Sequence, residues 1–96
     1  MRILALEIEN PEAEASDSQP LLVEEAWKVW EYYQDEFIRE IYFRADKTSA
    51  VLILECSDVA EARRKLSELP LVTAGYIVFE LIPLVPYPGF SRLFAS

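Results

Sequence analysis

The chain has 96 residues, a formal net charge of −8, no histidine and one cysteine. Its length suits one domain, and the negative charge argues against nucleic acid and anionic membrane surfaces as partners, since both need basic patches. The missing imidazole excludes histidine-ligated zinc or haem and Ser-His-Asp catalysis, so we expect no metal and no cofactor. The opening residues MRILALEIEN do not form a signal peptide and no apolar run reaches the ~20 residues of a membrane span, so we expect a cytoplasmic protein.

The first half of the chain predicts a strand, a loop and a helix. Arg2 to Glu9 alternates apolar and polar residues, which is typical of a strand. The acidic stretch 10–18 predicts a mobile surface loop, either a plain linker or a lid over a site. A helix is predicted from about Pro20 to Glu36, with Ser16 or Ser18 as its N-cap. The helix face predicted to pack on the sheet consists of Leu22, Ala26, Val29, Trp30, Tyr33 and Phe37.

The stretch from Ile38 to Cys56 predicts a β-hairpin, because β-branched and aromatic residues fill two arms around the turn-forming residues 46–49. A second helix is predicted over 58–69, with Asp58 and Glu61 in capping-box spacing at its start. A fourth strand over 76–82 follows. The order β-α-β-β-α-β predicts an α+β, ferredoxin-like sandwich. Its four-stranded antiparallel sheet would have the order 4-1-3-2, with both helices on one face.

The two faces of this sheet are predicted to differ. The face under the helices is expected to hold Leu4, Leu6, Ile8, Ile41, Phe43, Ala45, Leu52, Leu54, Cys56, Ile77, Phe79 and Leu81. The opposite face is expected to hold Ile3, Ala5, Glu7, Glu40, Tyr42, Arg44, Val51, Ile53, Glu55, Val78, Glu80 and Ile82. This second face is too apolar to meet water, so we expect a dimeric α/β barrel, that is, a homodimer or larger homo-oligomer with facing sheets. A carboxylate buried there needs a cation, and Arg44 is expected to pair with a glutamate.

The segment 83–96, PLVPYPGFSRLFAS, is too proline-rich for a helix or a central strand and too apolar to remain in water. Its prolines favour an extended conformation. We therefore expect one domain over 1–96 whose C-terminal segment packs on a partner subunit.

The sequence Glu68-Leu69-Pro70-Leu71, followed by a short turn, a strand and a proline-containing tail, resembles the muconolactone isomerase family of the dimeric α/β-barrel superfamily. In the same register, Arg39 and Glu25 stand at positions similar to those of family members. The family's enzymes shift a double bond in a small lactone by moving a proton. The chain departs from the family pattern at Leu22, where a lysine is expected, and it lacks the histidines and basic tail of the lactone isomerases.

Proton transfer at carbon needs a base near the substrate and a donor for the developing enolate. The resemblance and the charged positions of the sheet indicate five candidate site residues, and we expect Trp27 and Trp30 to lie near them. One hypothesis is an oligomeric domain that binds a small organic molecule without metal or haem. The other is a cofactor-free isomerase or lyase that acts on a small lactone or aromatic-degradation intermediate, although the same charges also suit interface ion pairs. The candidate residues are Glu25, Arg39, Glu40, Tyr42 and Arg44.

Overall fold

A computed structural model describes residues 1–94. Its strands are β1 (Arg2–Glu9), β2 (Ile38–Phe43), β3 (Ala50–Glu55) and β4 (Ile77–Leu84). Its α-helices are α1 (Leu22–Gln34), α2 (Val59–Leu66) and α3 (Pro70–Thr73), and two 3-10 helices cover Ala15–Leu21 and Gly89–Leu93. The sheet has the order β2-β3-β1-β4 with antiparallel neighbours, which confirms the predicted ferredoxin-like α+β fold and its strand order. No helix in the described part of the chain has the length and apolar character needed to cross a membrane.

Several element boundaries differ from the prediction for local reasons. The segment 15–21, which contains Pro20, forms a 3-10 helix, and Leu21 occupies the N-cap position of α1 where a serine was expected. The predicted helix 58–69 is interrupted, since α2 ends at Leu66 and α3 begins at Pro70, which suits a helix N-terminus. The cap of α2 is as predicted, because Asp58 Oδ1 accepts a hydrogen bond of 2.8 Å from the Glu61 backbone N–H.

The core lies between the sheet and the helices. Two buried pairs from the central strands form its floor, since Ile3 lies opposite Leu54 and Ala5 lies opposite Leu52. The helices and the α1–β2 turn cover this floor. The covering residues that are buried are Tyr32, Phe37, Ala62, Leu66 and Leu69.

The strand register overturns the predicted face of β1. Ile3, Ala5 and Glu7 lie under the helices, whereas Leu4, Leu6 and Ile8 lie on the opposite face, which we call the outer sheet face. Both alternating rows are apolar over the first half of β1, so alternation alone does not distinguish them. The faces predicted for β3 and β4 agree with the register.

The predicted inner face of α1 is also wrong for most of its members. Val29 packs against the core and Tyr32 is buried within it, whereas the predicted contacts Leu22, Trp30 and Tyr33 are exposed. Tyr32 is suited to burial because its hydroxyl donates a hydrogen bond of 2.7 Å to the Lys65 carbonyl oxygen. Its ring also packs edge to face on Phe37 at 5.1 Å. The large apolar residues on the other side of α1 therefore remain in solvent.

Candidate functional site

The structure separates the five predicted site residues into two groups. Glu25 lies on α1, on the helix-covered side of the sheet. Glu40 and Tyr42 lie on β2, across from Ile53 and Val51, and belong to the outer sheet face. Arg39 lies at an irregularity of β2, and Arg44 follows the end of that strand. One small ligand therefore cannot contact Glu25 and the outer-face residues of the same chain together.

Each residue of the β2 group has a local partner. The Tyr42 hydroxyl donates to Glu40 Oε1 at 2.7 Å, which raises the pKa of Tyr42 because the bond and the negative charge favour the protonated phenol. Arg39 Nε donates to a main-chain carbonyl of the α1–β2 turn at 2.9 Å. Arg44 pairs with Asp46 at 2.6 Å and lowers the pKa of that carboxyl, so its predicted pairing with a glutamate is wrong. Both members of this pair lie in the β2–β3 turn. Asp46 is only two residues from Arg44 in the chain, so it is the carboxylate within reach of the guanidinium group.

Glu25 lies at the same end of the sandwich as two glutamates of β1. Glu25 Oε1 accepts from the Leu71 backbone N–H at 3.0 Å, and Glu7 Oε1 accepts from the Ala50 backbone N–H at 3.3 Å. Glu9 Oε1 accepts from the hydroxyl of the buried Ser49 at 2.5 Å. We call Glu7, Glu9 and Glu25 the acidic end cluster.

Burial changes the protonation of two members of this cluster, Glu25 and Glu7. It raises the pKa of Glu25, and the bond from a backbone N–H only partly opposes this. It also raises the pKa of Glu7, and the nearby charges of Glu9 and Glu25 act in the same direction. Two carboxyl groups whose pKa values are raised can hold a proton at higher pH than ordinary glutamates. They therefore suit proton exchange better than exposed glutamates do. Among residues 1–94, no group of three or more histidine, cysteine, aspartate or glutamate side chains is placed to hold a metal ion.

The outer sheet face has an apolar centre and a polar rim. The register places Ile53 beside Leu4 and Val51 beside Leu6 on the two central strands. Val78 and Ile82 on β4 extend this centre. Charged residues occupy the edge strands and one end of the sheet. These rim residues are Arg2, Glu40, Glu55 and Glu80.

One end of the rim is fixed by ion pairs. Glu55 Oε2 lies 2.7 Å from the N-terminal ammonium group, and its other oxygen lies 3.3 Å from Arg2 Nη2. The bond from the ammonium group, supported by Arg2, lowers the pKa of Glu55. This glutamate therefore stays ionised near neutral pH, and the rim keeps its charge while the centre stays apolar.

The exposed side of α1 forms a second apolar surface. A shallow groove of about 590 Å³, open to solvent and lined by this helix alone, runs along it. Both tryptophans of the chain contribute to the groove and are more than half exposed. At roughly 100° per residue, Trp27 and Trp30 lie on the side of the helix away from Glu25, so they are not near it as predicted. The groove, which we call the α1 groove, is lined by Leu22, Val23, Ala26, Trp27 and Trp30.

Sequence reasoning missed the β1 members of the acidic end cluster. It placed Glu7 on the outer face, and it gave Glu9 and Ser49 no role. The pairing of Ile3 with Leu54 fixes the side on which these residues lie, and this long-range register has no local signal. No protein-family model matches the chain, and no curated protein is significantly similar to it in sequence.

Proposed function

We propose that this chain is a homo-oligomeric domain in which two outer sheet faces pack together, as in a dimeric α/β barrel, and hold a small organic molecule. The observation that carries the proposal is the arrangement of the outer face, with Leu4, Leu6 and Ile53 central and the charges peripheral. An apolar centre with a polar rim is the anatomy of a protein interface. The high hydrophobic content, 52%, supports the same interpretation.

The chemistry of the face also indicates the kind of ligand. Twisted sheets that pack about 10 Å apart leave an interior lined by their side chains. Here the lining would be aliphatic, with the hydroxyl of Tyr42 and the carboxylate of Glu40 at its border. Such a lining suits a molecule with an apolar body and one or two polar groups, such as a small lactone or aromatic acid. The resemblance to the muconolactone isomerase family favours the same class.

Light scattering on Ile53→Glu tests the assembly. A charge in the centre of the face should convert the oligomer to monomer at micromolar concentration, because the carboxylate would have to be buried without a partner. Ala60→Glu is the matched control, since Ala60 is exposed on α2 and does not belong to the sheet. A wild-type chain that is monomeric, or an Ile53→Glu chain that keeps its size, would refute the proposal.

Saturation-transfer NMR with a panel of small lactones and aromatic acids tests the ligand. We expect at least one panel member to receive saturation from the wild-type oligomer and none to receive it from monomeric Ile53→Glu. Equal transfer from the two proteins would place the binding site outside the paired faces.

A second candidate function is a cofactor-free isomerase or lyase. The raised pKa of Glu25, which lies on α1 on the helix-covered side of the sheet and near Glu7, favours it. In this reaction the Glu25 carboxylate takes a proton from the carbon next to a carbonyl, the C–H electron pair becomes an enolate, and a protonated carboxyl returns a proton at another carbon. Exchange of substrate C–H for deuterium, followed by NMR with the lactone panel, should disappear in Glu25→Gln and persist in Glu24→Gln. Exchange that survives in Glu25→Gln would remove this candidate.

A further inference from the structure

The segment after β4 is largely unpacked on its own chain. We call residues 85–94 the C-terminal arm. Val85 and Phe94 are each 84% exposed, and three further large apolar side chains are mostly in solvent. The molecule is 60 Å long but only 28 and 21 Å across, whereas an eight-residue strand spans roughly 27 Å. The arm therefore extends away from the sandwich with its apolar groups uncovered.

The arm nevertheless has a defined local structure. The rings of Tyr87 and Phe90 pack edge to face with centroids 5.0 Å apart. Gly89 is buried beneath the Tyr87 ring, and any Cβ at position 89 would collide with it. The Ser91 hydroxyl donates to the Pro88 carbonyl oxygen at 2.8 Å. A segment already shaped in this way loses less conformational entropy on docking than a flexible tail.

The outer sheet face alone is small for a stable dimer. Four strands about 4.8 Å apart and seven residues about 3.4 Å apart give it a flat footprint of roughly 450 Å², which its side chains enlarge only in part. Stable interfaces bury ~800 Å² on each partner. Three aromatic side chains of the arm, each able to bury roughly 150–250 Å² in all and still about two-thirds or more exposed, would add to this area. These are Tyr87, Phe90 and Phe94.

We propose that the C-terminal arm of one copy docks in the α1 groove of a second copy. Aromatic grooves bind proline-containing segments, and the arm carries Pro86 and Pro88 next to the 3-10 helix Gly89–Leu93, on which Phe90 is exposed. Charge also favours this docking at Glu24, because the arm's only charged residue is Arg92 and the exposed Glu24 lies beside the groove. The neighbouring Glu31 already pairs with Lys28 at 3.5 Å. The flat aliphatic outer face suits a second sheet better than it suits an arm.

The α1 groove of the same chain is a less favourable binding site for the arm. Helix α1 packs over β2, at one edge of the sheet, whereas the arm leaves β4 at the other edge. The arm would have to pass around the sandwich while keeping its local structure. A neighbouring copy removes this constraint, so the docking is intermolecular. It rests on the face-to-face pairing proposed above and adds contact area to it.

The two tryptophans make the docking observable, since both line the groove. In the full-length variant Phe90→Ser/Phe94→Ser we expect a red-shifted tryptophan emission and stronger quenching by acrylamide than in wild type. Phe43→Ser is the control, because Phe43 is equally exposed but lies on β2. Emission unchanged by loss of the arm aromatics would overturn the proposal.

A mixing experiment shows whether docking is between chains. A dark chain, Trp27→Phe/Trp30→Phe, keeps the arm and is refolded together with Phe90→Ser/Phe94→Ser, which keeps the tryptophans. We expect the emission to shift back toward blue, and we expect no shift when the dark chain also carries the two serine substitutions. A missing shift in the first mixture would overturn intermolecular docking, whereas light scattering on the arm variant reports the sheet-to-sheet pairing separately.

Discussion

The inner and outer faces of the sheet take alternate residues from the same four strands, but they are completed in different ways. Leu54 on the inner face is fully buried beneath the helices, whereas its neighbour Ile53 on the outer face is only half-buried. Helix α1 repeats the pattern, with Tyr32 buried and Tyr33 exposed. Apolar character alone therefore does not define a core; a residue belongs to the core when another element of the chain covers it.

Leu54→Ala and Ile53→Ala should give the largest contrast. Leu54→Ala leaves a cavity at a fully buried site and should lower the free energy of unfolding by about 2–5 kcal/mol. Ile53→Ala should cost about 1 kcal/mol in the isolated chain and should instead weaken association. Urea unfolding at several protein concentrations separates the two effects, because only the association term depends on concentration. If both substitutions lower the free energy of unfolding equally and independently of protein concentration, the two faces do not differ in the way described.

Tyr32→Phe and Tyr33→Phe compare a buried and an exposed side chain on α1 in the same way. Tyr32→Phe removes the hydroxyl that bonds the Lys65 carbonyl oxygen and lies 3.0 Å from Glu68 Oε2, and it should destabilise the fold by about 1–2 kcal/mol. Tyr33 is about half exposed, so Tyr33→Phe should change stability by less than ~0.5 kcal/mol. Thermal unfolding of the two variants side by side provides the measurement. A larger effect at position 33 would mean that this side of α1 is covered in solution.

Glu25→Gln and Glu24→Gln should show the smallest difference in the free energy of unfolding among these pairs, and that difference should depend on pH. Burial raises the pKa of Glu25 in the folded chain, so the folded state keeps its proton to higher pH than the unfolded state does. Stability therefore falls as pH rises from the ordinary glutamate value through the raised one, and the loss persists above it. Near neutral pH, Glu25→Gln should be more stable than wild type by less than ~1 kcal/mol. The advantage should vanish below about pH 4, where both states are protonated.

Urea unfolding across this pH range tests the sign. Glu24→Gln is the control for the substitution itself, because Glu24 is exposed on the same helix. A stabilisation by Glu25→Gln that is the same at every pH would show that the charge of Glu25 is not its cause.

Local patterns were sufficient to predict the order of elements and the sheet topology. The hairpin 38–56 and the Asp58 cap have signals within a few residues, and right-handed connections leave one strand order. The faces of β1 and α1 could not be predicted in this way. Each carries two apolar rows, Ile3–Ala5 against Leu4–Leu6 in β1, and alternation alone does not reveal which row the rest of the chain covers.

The candidate site was less predictable for the same reason. Glu25 and the β2 residues were identified by type and by resemblance, but Glu7 joins Glu25 only because β1 pairs with β3 in one register. The ion pair of Arg44 followed a simpler rule, since Asp46 lies two residues away and Glu40 is already bonded to Tyr42. Sequence reasoning predicted the residue types and missed the distances between them.

The two free edges of the sheet limit how an assembly of this chain can grow. On β2 the register is interrupted between Ile38 and Glu40, and on β4 Pro83 has no amide hydrogen to offer. An incoming strand would therefore meet a break at either edge, so open-ended strand addition is disfavoured. Strand pairing at these edges is therefore not the route by which copies of this chain should associate at high concentration, so cross-β fibres are not expected.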